Sequence, residues 1–218
     1  LDPGFRPEGL LVTQIDMQPL RPEPARRADL HRQILERVAA LPGVEAAVEA
    51  AIVPVGGSGW NERVLVDQQP TGISNVNRVS AGFFKTVGTP ILAGRDFNDR
   101  DTTASPKVAV VNEKFVSEIL KGAAPMGRTF AFEPSVGDPV VTYEIVGLVR
   151  DTKYRALRET QEPLAFISET QATAPDPYTN VLTRSSVPPA TLIGPLTRAV
   201  AEVNPALIVD FKVLTDRI

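Results

Sequence analysis

The chain has 218 residues, 43% of them apolar and 22% charged, with a net charge of −3, one histidine and no cysteine. This composition supports a buried core of one or two domains and argues against disorder and against a nucleic-acid binder, which carries a basic face. The absence of cysteine removes disulfides, thiol catalysis, iron–sulfur clusters and cysteine-based zinc sites together.

The chain opens on Leu1-Asp2-Pro3-Gly4, with no Met and no basic start before an apolar run, so no signal peptide is visible and it reads as a segment cut from a longer protein. Residues 10–17 read as a strand, stopped by Pro19, Pro22 and Pro24. Residues 26–41 follow with Leu30, Ile34, Val38 and Leu41 at helical spacing, and Pro42-Gly43 ends that helix. Residues 44–55 read as a second strand, and Gly56-Gly57-Ser58-Gly59 as a loop. In the middle of the chain, 62–69 and 73–80 read as alternating strands, 81–87 as a short helix and 89–93 as a short strand. A strand over 107–111 feeds a helix over 112–120 that Asn112 caps. Strands over 128–132, 140–150 and 163–168 complete the middle block, with 140–150 apolar enough to be central. The far end repeats the opening plan. A strand over 178–184 precedes Pro188-Pro189, and Leu192, Leu196, Val200 and Val203 form the helical stripe. Asn204-Pro205 stops this helix and 207–214 is the last strand; Pro195 falls in the first turns or kinks it. The longest run without Asp, Glu, Lys or Arg is 13 residues, 185–197, well short of the roughly 18 that a membrane span requires.

Few residues point to chemistry. His31 sits at the edge of the apolar stripe and reads as a surface or boundary residue, not as a base or ligand. The acidic stretch from Asp96 to Asp101 lacks calcium-loop spacing, with no Gly at the sixth position and no Glu at the twelfth, and reads as a polar turn capping a helix start. The glycine run leads into Trp60-Asn61-Glu62 with no Lys, so it matches no phosphate-binding loop. With His31 the only base available to a serine, the residues single out no catalytic, cofactor-binding or metal-binding set. Trp60, the only tryptophan, lies on the Gly-rich loop; it is a candidate partner contact, the other reading being that it folds back over a core edge.

The ordered motifs of the middle block resemble a known family. They are residues 78–97 (RVSAGFFKTVGTPILAGRDF), 108–113 (VAVVNE), 125–130 (PMGRTF) and 143–151 (YEIVGLVRD), and they are similar to the MacB-like periplasmic core domain of FtsX-type ABC transporter permeases. The continuation over 149–157, VRDTKYRAL, resembles the large acidobacterial-type permeases. Each motif also has a physical reading. Gly82, Gly88 and Gly94 supply turns, Phe83, Phe84 and Phe97 pack a small core, and Arg95 and Arg128 tie loops to carboxylates. Gly127 permits a tight turn, and Gly147 a close approach inside a central strand.

The resemblance implies an α+β fold. A porter-like subdomain of two strand–helix–strand units, 1–77 with 156–218, would be interrupted by an inserted sabre-like α+β subdomain, 78–155. It further implies a non-catalytic domain on the periplasmic or extracytoplasmic face of the cytoplasmic membrane, without a cofactor. The partners implied are flanking transmembrane helices, an ATPase domain, a second permease half, and an adaptor or substrate protein in export; the excised domain is expected to be a monomer. Gln171 and the six residues after it form a short, proline-bearing loop, unlike the protruding hairpin of lipoprotein-releasing relatives. Two other readings are a soluble small-molecule sensor using a cleft between subdomains and a hydrolase built on two carboxylates.

Overall fold

Two amphipathic helices bury their predicted stripes on one face of a sheet. The structure, a computed structural model, describes residues 2–214. Its strands are β1 (Leu10–Asp16), β2 (Val44–Ala50), β3 (Asn61–Val66), β4 (Gln69–Val79), β5 (Ile91–Gly94), β6 (Val108–Asn112), β7 (Thr129–Phe132), β8 (Thr142–Val149), β9 (Leu164–Ser168), β10 (Tyr178–Ser185) and β11 (Ile208–Val213). The α-helices are α1 (Pro24–Ala39), α2 (Phe83–Val87) and α3 (Ile193–Val203), giving an α+β architecture.

The chain ends build the terminal sheet, in the order β11-β1-β10-β2 with every pairing antiparallel. The two-residue period of a strand splits β1 cleanly. Leu11 and Ile15 face the helices, while Leu10 and Val12 face a second core on the other side. Leu30, Ile34 and Val38 of α1 and Leu196 and Val200 of α3 close the first core, each burial worth about 1.5–3 kcal/mol. α1 starts two residues earlier than predicted because Pro24 occupies its first turn, where a missing N–H costs nothing. Pro195 is likewise the third residue of α3, so it needs no kink.

The middle strands close on themselves. They run β4-β3-β7-β8-β6-β9, and a parallel pairing of β9 with β4 completes a six-stranded ring. Val64, Val76, Phe115, Phe130 and Ile145 fill it. This ring takes in β3, β4 and β9, strands that lie wholly or largely outside the 78–155 segment. β8 is central as expected, pairing with β5, β6 and β7. Inside it Gly147 is obligatory, since a Cβ there would lie 2.4 Å from the Arg95 carbonyl oxygen. The ring and the terminal sheet share a single strand pair, Ala50 with Val79, and a common core. In that core Leu10, Val12 and Leu182 meet Phe83, Phe84 and Phe166, the last two edge-on at 4.9 Å.

Three elements differ from the sequence reading. The strand expected over 44–55 ends at Ala50, because the chain must leave the terminal sheet there to enter the ring. The turn between β3 and β4 is Asp67-Gln68, both with positive φ (51° and 62°), not the Pro70–Gly72 region. The helix expected over 112–120 is one wide turn, Phe115–Ile119, with Leu120 N–H bonding Phe115 O. Asn112 still caps it, its Oδ1 accepting from Phe115 N–H at 2.9 Å, but it also accepts from Leu164 N–H and donates to Glu162 O, which sews β6 to β9.

A two-residue hairpin turn with positive φ at both positions favours Asn-Gly. The double substitution Asp67→Asn, Gln68→Gly is therefore expected to stabilise the chain by about 0.5–1 kcal/mol, read as a higher urea midpoint with an unchanged slope.

Candidate functional site

The connector from β2 to β3, residues 51–60, crosses from the terminal sheet to the ring and carries the glycine run and Trp60. Side chains supply the hydrogen bonds that a strand neighbour would otherwise give. The Asn77 amide accepts from Ile52 N–H and donates to Ile52 O, both at 2.9 Å. Asn180 donates to the carbonyls of Ala50 and Ala51. Val55 N–H and Gly57 N–H donate to the carbonyls of Tyr154 and Arg155. Tyr154, 4% exposed, accepts from Trp60 N–H at 3.0 Å and donates to Val76 O at 2.5 Å. Burial pushes its phenol up to about 12. The backbone N–H groups of Tyr154, Arg155 and Ala156 in turn hold the Glu159 carboxylate, and Arg155 donates to Asn75 Oδ1 at 2.8 Å. The 149–157 motif is thus a clamp. Gly59 belongs to it, since a Cβ there would meet Arg155 Nε at 2.4 Å.

Trp60 emerges from this clamp half-buried. It packs on the ring core, and its indole N–H donates to Glu62 at 2.7 Å. The Arg78 guanidinium lies 5.5 Å above its ring and reaches Asp176 at 3.2 Å. Beside them opens a groove of about 390 Å³, lined also by Phe132, Val141 and Tyr143. A second concavity, about 440 Å³, lies on the face of the terminal sheet opposite α1 and α3. There a polar row crosses three strands, Lys212 donating to Gln14 and Gln14 to Asn180.

His31 is not at the surface. It is 5% exposed, with Nδ1 3.0 Å from the Glu49 carboxylate and Nε2 donating to Asp176 O at 2.9 Å. Burial alone would lower its pKa; the Glu49 hydrogen bond and charge overcome this and raise it to about 9, so the ring is an imidazolium held in an ion pair. Thr179 donates to the same Glu49 oxygen at 3.1 Å. Near them burial pushes the Glu169 carboxyl up to about 7, against the pull of Arg78. No local sequence signal marks this cluster, because its members come from α1, β2, β4 and the segment after β9.

The acidic stretch caps no helix, since β6 follows it. Asp101, 3% exposed, takes a bidentate pair of bonds from Arg95 at 2.7 and 2.8 Å and a third from Asn98 N–H. Arg95 thereby holds the Asp101 carboxyl below the usual range. Arg128 instead donates to a carbonyl, Ala124 O, at 3.1 Å. Among the described residues no three His, Asp or Glu side chains are grouped to hold a metal, and no helix is long and apolar enough to cross a membrane.

The family model of the MacB-like periplasmic core domain matches residues 6–199. The chain belongs to this family. It is therefore a domain of the MacB/FtsX type of ABC transporter permease. The fold agrees with solved structures. The periplasmic region of MacB from Actinobacillus actinomycetemcomitans superposes with a TM-score of 0.64 at 12% identity, covering 98% of this chain and 92% of that one. The extracellular domain of the ABC-type transporter YknZ from Gram-positive bacteria gives 0.57 at 13%, covering 92% and 99%. No curated protein matches the sequence.

Two outcomes are expected of this site. His31 titrates higher in the folded state, so its contribution is complete below pH 6.5 and is lost as pH rises through about 9. Glu169 is also raised, so its cost is present above about 7 and is relieved toward 4.5. Stability should therefore increase from pH 9 down to about 5. The His31 part is on the order of 3 kcal/mol, and His31→Gln should flatten the slope above pH 6.5 in thermal melts. Tyr154→Phe, which strips the bonds at Trp60 N–H and Val76 O, should cost about 1–3 kcal/mol by urea unfolding.

Proposed function

We propose that the chain is the extracytoplasmic domain of an ABC permease half, which carries ATP-driven movement from the membrane to a partner or substrate protein and performs no chemistry itself. The observation that carries this reading is the family match over 6–199, on a fold in which the terminal sheet and the ring are joined by one strand pair and a common core. The buried ion pair ties up the only histidine. In this reading the terminal sheet with α1 and α3 is the porter-like part and the middle block the inserted sabre-like part, the working boundary following their separate cores. Two such domains face one another in the transporter, next to transmembrane helices and coupled to the ATPase domain. Trp60, at the seam of the two parts, is the proposed partner contact.

Force is transmitted if the domain moves as one body. The chain has no cysteine of its own. Spin labels at Ser117→Cys on the ring and Glu202→Cys on α3 are introduced into the full transporter, cleared of any cysteine outside this domain and reconstituted in lipid. Adding ATP should change the label-to-label distance between the two permease halves and leave the Ser117–Glu202 distance within one half unchanged. An ATP-dependent change within one half, or none between halves, contradicts the reading.

A further inference from the structure

We propose that the groove beside Trp60 docks an extended, cationic segment of a partner protein, in which apolar residues alternate with Lys or Arg. This deepens the permease-domain reading and rests on it. The groove has the shape for an extended chain. It continues past Arg78, Val141, Tyr143 and Ile167 into a second hollow of about 230 Å³, so the cavity is elongated and not a single closed chamber. Its walls are aromatic and aliphatic. The rings of Phe132 and Tyr143 lie 5.4 Å apart, with Trp60 beside them. Val141 is 40% exposed at the rim, and Val140 and Val136 on the same β7–β8 loop are 58% and fully exposed. Val141 thus adds exposed apolar surface directly to the aromatic wall.

The charges choose the partner. Glu62, Glu133 and Asp138 line the first hollow; Arg63 pairs with Glu133 at 3.3 Å and Asp176 with Arg78, which leaves the carboxylates of Glu62 and Asp138 without an ion-pair partner among the described residues. Lys107, in the second hollow, donates to the carbonyls of Thr103 and Gln171 and keeps its charge, so the carboxylate excess lies in the first hollow. An acidic segment would meet this carboxylate excess unfavourably; Lys or Arg side chains would meet it with opposite charge. Arg78 fits a backbone. Its side chain is 18% exposed, and among the described residues its one hydrogen bond is to Asp176, which leaves N–H donors for carbonyl oxygens of an extended chain. The Tyr143 hydroxyl adds a further polar group without a partner among the described residues. Alternation follows from the two-residue period of extended chain, with one face on the aromatic wall and the other on the carboxylate rim.

Trp60 is the only tryptophan and lines this groove, so its fluorescence responds to an occupant there. The 218-residue chain is titrated with three capped hexapeptides of one apolar pattern, carrying Lys, Glu or Gln at the alternate positions. The Lys peptide is expected to give a saturable change, binding about tenfold more tightly than the Glu peptide at low salt and losing most of that margin at about 0.5 M salt. The triple variant Glu62→Gln, Glu133→Gln, Asp138→Asn should weaken the Lys peptide about tenfold while keeping the unfolding midpoint within about 2 °C. Equal or tighter binding of the Glu peptide, no saturable change up to millimolar peptide, or an unaltered Lys-peptide affinity in the triple variant overturns the proposal. These readings are independent of the ATP-driven distances, so the groove can fail while the permease reading stands.

Discussion

The hydroxyl of Tyr154 sits where two sheets have almost stopped being one. Only Ala50 and Val79 pair between the terminal sheet and the ring, and the connector that follows Ala50 runs half-buried across the seam. Buried backbone N–H and C=O groups must find partners, or the seam would cost several kcal/mol. Tyr154 answers both needs, taking the Trp60 N–H and giving its proton to Val76 O. Asn77 and Asn180 do the same for Ile52, Ala50 and Ala51. Side-chain amides and one phenol thus stand in for a missing ladder. The ring, the groove and the position of Trp60 all depend on that substitution.

Charge reinforces the seam at a price in solvation. A carboxylate and an imidazolium this deeply buried hold together only because each is paired and hydrogen-bonded, and removing either partner leaves the other uncompensated. His31 comes from α1, Glu49 from β2, and Asp176, whose carbonyl takes the second imidazole N–H, from the segment before β10. The Asp176 carboxylate reaches on to Arg78 on β4, and Arg78 to Trp60. One chain of contacts therefore runs from a helix of the terminal sheet to the groove of the ring. Paired charges and short hydrogen bonds thus link α1 to the groove.

Much of the fold is legible in the sequence, for local reasons. The stripes of α1 and α3, the proline stops and the apolar run of β8 are written within a few residues of where they act. The Arg95 tie to a carboxylate follows from an arginine beside a glycine turn, and the need for Gly147 from a glycine inside an apolar strand. The missed features are non-local or lack a composition signal. His31 lies 18 residues from Glu49 and 145 from Asp176, so nothing beside it announces burial. Asp67 and Gln68 adopt positive φ without glycine, which hides the hairpin turn. The ring closes by a parallel pairing of β4 with β9, some 90 residues apart in the chain, and periodicity within a strand does not name its neighbour. Trp60 is legible as a residue of interest, but its companions Arg78, Phe132 and Tyr143 reach it through the pairings of β3 with β4 and β7 and of β7 with β8.

The central claim is that the seam makes the terminal sheet and the ring one cooperative body. Equilibrium urea unfolding followed by two signals tests it most directly. Trp60 fluorescence reports on the seam and the ring, and far-ultraviolet circular dichroism is dominated by α1 and α3 of the terminal sheet. The account predicts that the two curves superimpose, with one midpoint and one slope. Two separated transitions, with the tryptophan signal lost while the helical signal persists, would contradict it.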